Sequence, residues 1–316
     1  MRCPTLTQLP APPPDKTGWP WTEETHRAGQ AKEGYRPLIT IVTPSYNQGM
    51  FLEETIRSVL LQDYPSLEYI IMDGGSTDQS VEIIKKYENF VTYWISEKDD
   101  GAASAIRKGF DRASGAIFAY LNSDDLYLPG ALHQLAAAFE KGRPDVVYGN
   151  TYWVDEKTTV LAERRQTPFS SSAYLYGGAD LQQPAMTWTA DIYRNAGGMD
   201  TSFHCAFDTD LFSRFISQRA KFAYVRQFVA CARIQPGQKS DVLSETCRKE
   251  LNKIRSRLTY PVRSVAGSLL RNVGRIQRML WYLAQGDLPW LIRRIPDRLK
   301  SRTAQAQPTG PRSKWI

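Results

Sequence analysis

From Pro37 onward, short runs of apolar and β-branched residues alternate with longer segments whose apolar positions recur every three to four residues. That alternation predicts strands joined by crossover helices around a parallel sheet. Leu38 to Thr43 reads as the first strand, and residues 50–61 as a helix with Phe51, Thr55, Val59 and Leu60 near one stripe. Leu67 to Met72, Val91 to Ile95 and Ala116 to Leu121 are the next strands, separated by helices over 78–87 and 102–113. A helix over 130–140 and a strand over 145–148 follow. The rhythm then degrades into hairpin-like pieces (151–154, 159–163), a Ser-rich turn at 170–172, a strand over 186–189, a helix over 208–218 and a last strand over 222–229. The expected class is α/β, a Rossmann-like and mostly parallel sheet flanked by helices.

The pattern changes character at both ends. Residues 4–14 are rich in proline and are followed by Trp19, Pro20 and Trp21, so an extended polyproline-like arm is expected over residues 1–36. The N-terminal residues do not read as a charged-then-apolar leader, and no signal peptide is expected there. Residues 262–284 place Val262, Val265, Ala266, Leu269, Val273, Ile276, Leu280 and Leu283 at helical spacing, with Arg263, Arg271, Arg275 and Arg278 toward the other side. A second short amphipathic helix sets Trp290, Leu291, Ile295 and Leu299 against Arg293, Arg294, Arg298 and Lys300. The expected organisation is an arm (1–36), a catalytic domain (37–250) and a basic amphipathic helical tail (251–316).

Charge sharpens that division. The 316 residues carry a formal +7, with 42% hydrophobic and 23% charged residues, which is ordinary globular composition. Residues 251–316 hold 14 Lys or Arg against Asp287 and Asp297, a net +12, which leaves the preceding 250 residues at −5. The tail therefore suits an anionic membrane surface through residues 262–300, or packs on the body with its arginines in solvent. Nucleic acid is not expected, because no recognition motif accompanies the charge. Cys3, Cys205, Cys231 and Cys247 lack zinc-site spacing and read as free thiols in a reducing compartment. With only three histidines, a multi-histidine metal site is not expected, and no P-loop, dinucleotide, zincin or serine-hydrolase string occurs.

The polar strings that remain fall at strand ends, where open parallel sheets bind ligands. Strand one ends in Thr43, Pro44, Ser45, Tyr46 and Asn47, and strand two in Asp73, Gly74, Gly75, Ser76, Thr77 and Asp78. The second string serves as a strand-to-helix turn, and a carboxylate at Asp73 also suits a base N–H or a ribose hydroxyl. Asn122, Ser123, Asp124 and Asp125 follow the fourth strand. Two adjacent carboxylates there repel each other unless a cation joins them, and Mg²⁺ or Mn²⁺ with diphosphate oxygens is the natural partner.

These strings, in this order, resemble the family 2 glycosyltransferases, whose catalytic domain has the GT-A fold; the resemblance covers about residues 37–240. It implies a nucleotide pocket opened by Thr43, Pro44, Tyr46 and Asn47, with Asp73 on the base and Gly101, Lys108 and Ser123 also bordering the nucleotide. It implies a metal held by Asp124, with Asp125 and Asn122 secondary. Asn122 departs from the pattern, since an acid often stands there. Glu97, Lys98, Asp99, Asp100 and Gly101 look like the segment bordering the nucleotide in a bacterial branch, where Arg107 replaces a frequent asparagine and either neutralises phosphate or lies on a solvated helix face. Gln182 to Ala185, Trp188 and Gly197 to Asp200 are similar to the acceptor-side segment, and AFDTDLFSRF at 206–215 to the region of the catalytic carboxylate. Asp208 matches the base, with Asp210 second. Asp100, Trp188 and Arg233 fall in the donor and acceptor pocket; Arg233, Gln235 and Ser240 resemble a late segment closing over the diphosphate, although many relatives carry histidine where Gln235 stands.

The implied reaction is inverting transfer of a sugar from a UDP, GDP or dTDP sugar to a glycan or lipid-linked acceptor, in cell-surface polysaccharide or lipid-linked oligosaccharide synthesis. The expected location is cytoplasmic, peripheral on the inner face of the membrane. Two alternatives stay open: a sugar-phosphate nucleotidyltransferase, which typically carries a glycine-rich basic loop that TPSYNQG lacks, and a non-catalytic partner protein of the same fold.

Overall fold

Strand β1 (Ile39–Ser45) is buried along its whole length because parallel neighbours flank it and helices cover both of its faces. The computed structural model describes residues 3–25, 36–176, 181–235, 244–257, 264–287 and 289–290. They fall into two compact units, Met1–Gln166 with Leu181–Gln235 and Thr167–Asp180 with Pro236–Ile316.

In the first unit, α1 (Gly49–Leu60), β2 (Leu67–Asp73), α2 (Ser80–Tyr87), β3 (Tyr93–Ser96), α3 (Ala102–Asp111) and β4 (Ile117–Tyr120) follow in the expected alternation. β1 pairs in parallel with β2 and β4, and β3 extends β2. Then come β5 (Leu126–Tyr127), α4 (Ala131–Glu140), β6 (Val146–Val154) and β7 (Val160–Arg164). The pieces expected at 145–148 and 151–154 are thus one strand, whose pairing with a later strand carries irregularities around Asn150. In the second unit, α5 (Ser171–Leu175) stands where a Ser-rich turn was expected, because the Ser170 hydroxyl accepts the Ala173 N–H at 3.4 Å and caps a short helix. Back in the first unit, β8 (Met186–Thr189), α6 (Ala190–Asn195), α7 (Phe207–Ser217) and β9 (Phe222–Arg233) complete the order β3-β2-β1-β4-β8-β6-β9-β5, with β7 paired to β6. β8 runs antiparallel to β4 and β6, so the sheet is mixed on that side.

Two apolar layers hold the sheet. Ile39, Ile41, Ile56, Val59, Ile84, Leu132 and Phe139 join α1, α2 and α4 in the main core. On the opposite face Phe110 stacks on Phe118 with ring centroids 4.8 Å apart, and Trp188, Phe212 and Phe215 continue that aromatic cluster.

The N-terminal segment, expected as an extended polyproline-like arm, packs against the body. Leu9 and Trp21 are buried, and the Trp19 indole donates to the Tyr127 carbonyl at 2.8 Å. The buried Arg57 guanidinium donates to the Pro20, Pro10 and Trp21 carbonyls at 2.9–3.0 Å and to the Tyr87 hydroxyl. A buried guanidinium needs its donors filled, and the strap's carbonyls fill them.

The thiols also divide. Cys3 and Cys231 are free, and burial pushes each up to about 12. Cys205 and Cys247 are disulfide-bonded, which corrects the reading of four free thiols; spacing along the chain does not reveal such bonds.

In the second unit, α8 (Ser244–Arg255) buries Cys247, Leu251 and Ile254 on one stripe. Helix α9 (Val265–Ala284), predicted over 262–284, starts at a Ser264 cap whose hydroxyl accepts the Gly267 N–H at 3.0 Å. The second tail helix, from Leu291 on, lies outside the described residues, as does Ser240. No described helix is long and apolar enough to cross a membrane.

Candidate active site

The C-terminal ends of β1 to β4 bring four polar loops to one edge of the sheet. After β4 the chain turns at Asn122–Asp125, pinned from below by the Thr55 hydroxyl of α1, which lies 3.0 Å from the Ser123 carbonyl and 2.7 Å from that of Asp125. Asp124 accepts the Gln235 amide at 2.8 Å, while Asp125 accepts the Arg233 N–H at 3.0 Å and the Asn122 amide at 3.2 Å. Burial raises the Asp124 carboxyl above its ordinary value, outweighing those donors. Burial and then the neighbouring Asp124 charge push Asp125 well above the carboxylate range.

Arg233, expected in the donor and acceptor pocket, is 2% exposed, with its guanidinium held by protein groups. Its Nε donates to the Asp124 carbonyl at 2.9 Å, Nη1 to the carbonyls of Asp155 and Glu156, and Nη2 forms a 2.7 Å ion pair with the buried Glu54. The guanidinium is therefore neutralised by Glu54 and acts as a strut beneath the acidic turn.

The loops after β1 and β2 are laced together. The Asn47 N–H donates to the Ser76 hydroxyl at 2.8 Å, and the Asn47 amide oxygen accepts the Thr77 N–H at 2.8 Å. Tyr46 and Asn47 are exposed at the rim. Thr43 and Pro44 are buried, and the Thr43 hydroxyl sits 3.1 Å from that of Tyr69, so both support the loop from within the core instead of facing a nucleotide. Asp73 accepts the Gly75 and Ser76 N–H groups and the hydroxyls of Ser76 (2.5 Å) and Ser96 (2.6 Å), filling most of its acceptor capacity within the turn. Gly74 admits the Asp99 carboxylate, since a Cβ there would lie 2.9 Å from Asp99 Oδ2. The Gly101 N–H, at the start of α3, donates to Asp99 at 2.7 Å, with Asp100 exposed between them. Lys108 pairs with Glu97 at 2.9 Å in solvent.

On the other side of the edge, Asp208 occupies the first turn of α7, half-buried, and accepts the Thr209 N–H at 2.6 Å. Phe207 brings that turn to β4, its ring centroid 6.2 Å from that of Tyr120, and the Gln183 amide donates to the Tyr120 carbonyl at 2.8 Å. Asp210 is fully buried and paired at 2.8 Å with Arg214, which also donates to the Ala196 and Gly198 carbonyls. Arg107 donates to the Met199 carbonyl at 2.9 Å. The Gly197–Asp200 turn is thus clamped by two arginines, of which Arg107 reaches it from an exposed position on α3, while Asp210 is an ion-pair partner of Arg214. Trp188 is 0% exposed in the aromatic cluster, which corrects its assignment to the pocket.

Ser45, which the sequence places in the TPSYN string, lies in register with Asp73 at the sheet edge, and its buried hydroxyl has no hydrogen-bond partner. Glu54 escaped the sequence reading, because its partner Arg233 is 179 positions away.

The donor chemistry of the β4 turn fits a hard divalent cation. Both carboxylates present oxygen, the hydrogen bonds above reach them from neutral groups, and the nearest guanidinium already has a counter-ion. Among the described residues no group of three or more His, Cys, Asp or Glu gathers. A Mg²⁺ or Mn²⁺ ion held here would take its remaining ligands from water and phosphate.

Residues 40–207 match the family described as glycosyl transferase family 2. An uncharacterized glycosyltransferase of Rickettsia typhi is 29% identical over 195 residues, covering 58% of this chain and 59% of that relative, so the chain spans less than two thirds of it. The putative teichuronic acid biosynthesis glycosyltransferase TuaG of Bacillus subtilis is 42% identical over 94 residues, 29% of this chain and 37% of TuaG. Among solved structures, S. aureus TarS in complex with UDP-GlcNAc matches with a TM-score of 0.56 at 16% identity, over 70% of this chain and 67% of that one. The mannosyltransferase PcManGT from Pyrobaculum calidifontis, in complex with GDP-Man and Mn²⁺, matches with a TM-score of 0.54 at 18% identity, over 86% of this chain and 81% of that one. These likenesses identify the GT-A fold. With more than half of its length inside the family's matched region, the chain belongs to glycosyl transferase family 2.

Proposed function

We propose that this protein is a metal-dependent inverting glycosyltransferase that moves a sugar from a nucleoside diphosphate sugar to an acceptor hydroxyl of a cell-surface or lipid-linked glycan. The observation that carries the reading is the buried, cation-demanding Asp124–Asp125 turn beside the Asp208 turn of α7, which Phe207 anchors on β4. UDP-GlcNAc and GDP-Man in the complexes of the two fold relatives support a sugar nucleotide as donor, the Mn²⁺ of one supports the cofactor, and the teichuronic acid relative supports a polysaccharide acceptor.

Asp124 and Asp125 hold the Mg²⁺ or Mn²⁺ ion, which when bound offsets charge on the diphosphate. Tyr46, Asn47, Ser45 and Asp73 border the base and ribose, with Gly101 and Asp100 on the adjoining loop. Asp208 accepts the proton of the acceptor hydroxyl as its oxygen bonds to the anomeric carbon. The bond from that carbon to the diphosphate oxygen breaks on the opposite side, and the nucleoside diphosphate leaves with the electron pair. A single displacement of this kind inverts the anomeric configuration.

The test is release of nucleoside diphosphate from a panel of UDP, GDP and dTDP sugars with Mn²⁺ or Mg²⁺ and glycan acceptors, with the product anomer read by NMR. Asp208→Asn is expected to lower turnover by about 10²- to 10⁴-fold while donor affinity holds. Full turnover by that variant excludes Asp208 as the base, and pyrophosphate as the product would establish a nucleotidyltransferase instead.

A further inference from the structure

Helix α9 has two unlike faces. On one, Gly267 and Gly274 are buried, and a Cβ at Gly274 would lie 2.7 Å from the Ala173 Cβ of α5, so the lack of a side chain lets the two helices touch. On the other, Leu269, Val273, Ile276, Leu280 and Leu283 follow one another at alternating steps of four and three residues, and all five are exposed, by 39% to 63%. At 100° per residue they fall within an arc of about 80°, centred about 150° from the two glycines. Val265, 89% exposed, extends the stripe at its N-terminal end. Arg271 and Arg278 lie beside the glycine face, almost opposite the stripe, and Arg275 follows on that side, so the stripe itself carries no charge.

We infer that this stripe is the seam through which two copies of the chain pair, α9 against α9. The four-three repeat is the heptad pattern, with Val273 and Leu280 at one core position and Leu269, Ile276 and Leu283 at the other. A stripe that narrow fits a facing helix better than a broad surface. The arginines stand on the side turned to α5, so a bilayer or an acidic partner laid along the stripe would gain little from them, whereas a second uncharged seam needs no counter-charge. An identical apolar patch is also self-complementary under two-fold symmetry. With Val265 and Met279 included, the exposed apolar surface comes to roughly 650 Å² per copy and about 1,300 Å² for the pair, which clears the ~1,000 Å² expected of a specific interface. The glycine face already holds α9 against α5, so pairing does not have to order the helix first. Residues 251–316 carry a net +12, so two tails repel at long range, and added salt screens that repulsion. This inference goes beyond the proposed reaction and does not rest on it.

The test is sedimentation equilibrium of the full-length protein, with the wild type beside the Leu269→Glu/Leu280→Glu, Ile276→Asn and Arg275→Gln variants and circular dichroism to follow helicity. The wild type is expected to be largely dimeric at about 20 µM, and more tightly so as salt is raised. The double variant puts four carboxylates into the seam of a pair and is expected to weaken dimerisation by at least about 100-fold. Ile276→Asn, which adds no charge, weakens it by about 10-fold, and its result decides if the double variant loses helicity. Arg275→Gln, outside the seam, leaves the dimer as tight as in the wild type or tighter. A wild type that is monomeric at that concentration overturns the proposal, and so does a dimer that survives the seam variants or that Arg275→Gln weakens as much as they do. Monomeric wild type that sediments with phosphatidylcholine vesicles overturns it in favour of lipid on the stripe.

Discussion

Asp73 and the Asp124–Asp125 pair stand at the ends of two strands separated only by β1, and their surroundings differ in kind. Asp73 is wrapped by two N–H groups and two hydroxyls from its own turn and from Ser96. Its charge is met locally, and the result is a rigid rim. Asp124 and Asp125 receive an amide, one N–H and a second amide, and burial raises Asp124 above its ordinary value and Asp125 well above it. The charge of Arg233 lowers both, but its guanidinium is ion-paired with Glu54 and burial outweighs it. One turn is finished by its own protein atoms; the other, under the proposed function, is completed by a divalent cation with a diphosphate.

The largest effect that sharpens this contrast is on activity. Asp124→Asn is expected to lower metal-dependent nucleoside diphosphate release by at least about 100-fold, measured under saturating donor, with the thermal midpoint held or raised because a buried like-charge repulsion is relieved. Next is the strut beneath the pair. Glu54→Gln leaves Arg233 without a counter-ion, so metal affinity is expected to fall by about 10- to 100-fold, read by Mn²⁺ titration, together with a loss of stability that Asp124→Asn does not show. At Asp73 the order reverses: Asp73→Ala costs about 2–3 kcal/mol by strand-end unravelling, read by urea denaturation, and leaves Mn²⁺ affinity in the absence of nucleotide unchanged.

The smallest effect concerns a third acid, at the opposite end of β2. Burial pushes Glu68 up, but the Ser114 and Thr40 hydroxyls and the Ser114 and Gly115 N–H groups outweigh it and hold its carboxyl below the usual value. A depressed carboxyl contributes stability that is full above its unfolded value and fades as pH falls through its folded one. Glu68→Gln is therefore expected to cost about 1–2 kcal/mol at pH 7, with the gap to wild type closing as the pH falls below that of ordinary glutamate. A gap that widens with acid would contradict the sign.

The half of the fold built from β1 to β4 was legible because each strand and helix carries its own period, and the strings at their ends sit where the chain direction puts them. β6 was read as two pieces because Gly149 and Asn150 interrupt an apolar run that pairing with β9 carries through. The strap over Arg57, the burial of Trp188 and the Arg233–Glu54 pair were not legible, since each depends on side chains that meet only after folding. Trp188 and Arg233 look like site residues in the sequence because large aromatic and cationic side chains occur in sites and in cores alike. Their burial, in an aromatic cluster and over an ion pair, separates the two.

The central claim is that Asp124 and Asp125, and not Asp73, await a cation. Electron paramagnetic resonance titration of Mn²⁺ into the wild type, Asp124→Asn and Asp73→Asn proteins, each without nucleotide, tests it directly. The account predicts saturable binding in the wild type and in Asp73→Asn, and its loss in Asp124→Asn. Equal Mn²⁺ binding by wild type and Asp124→Asn would contradict it.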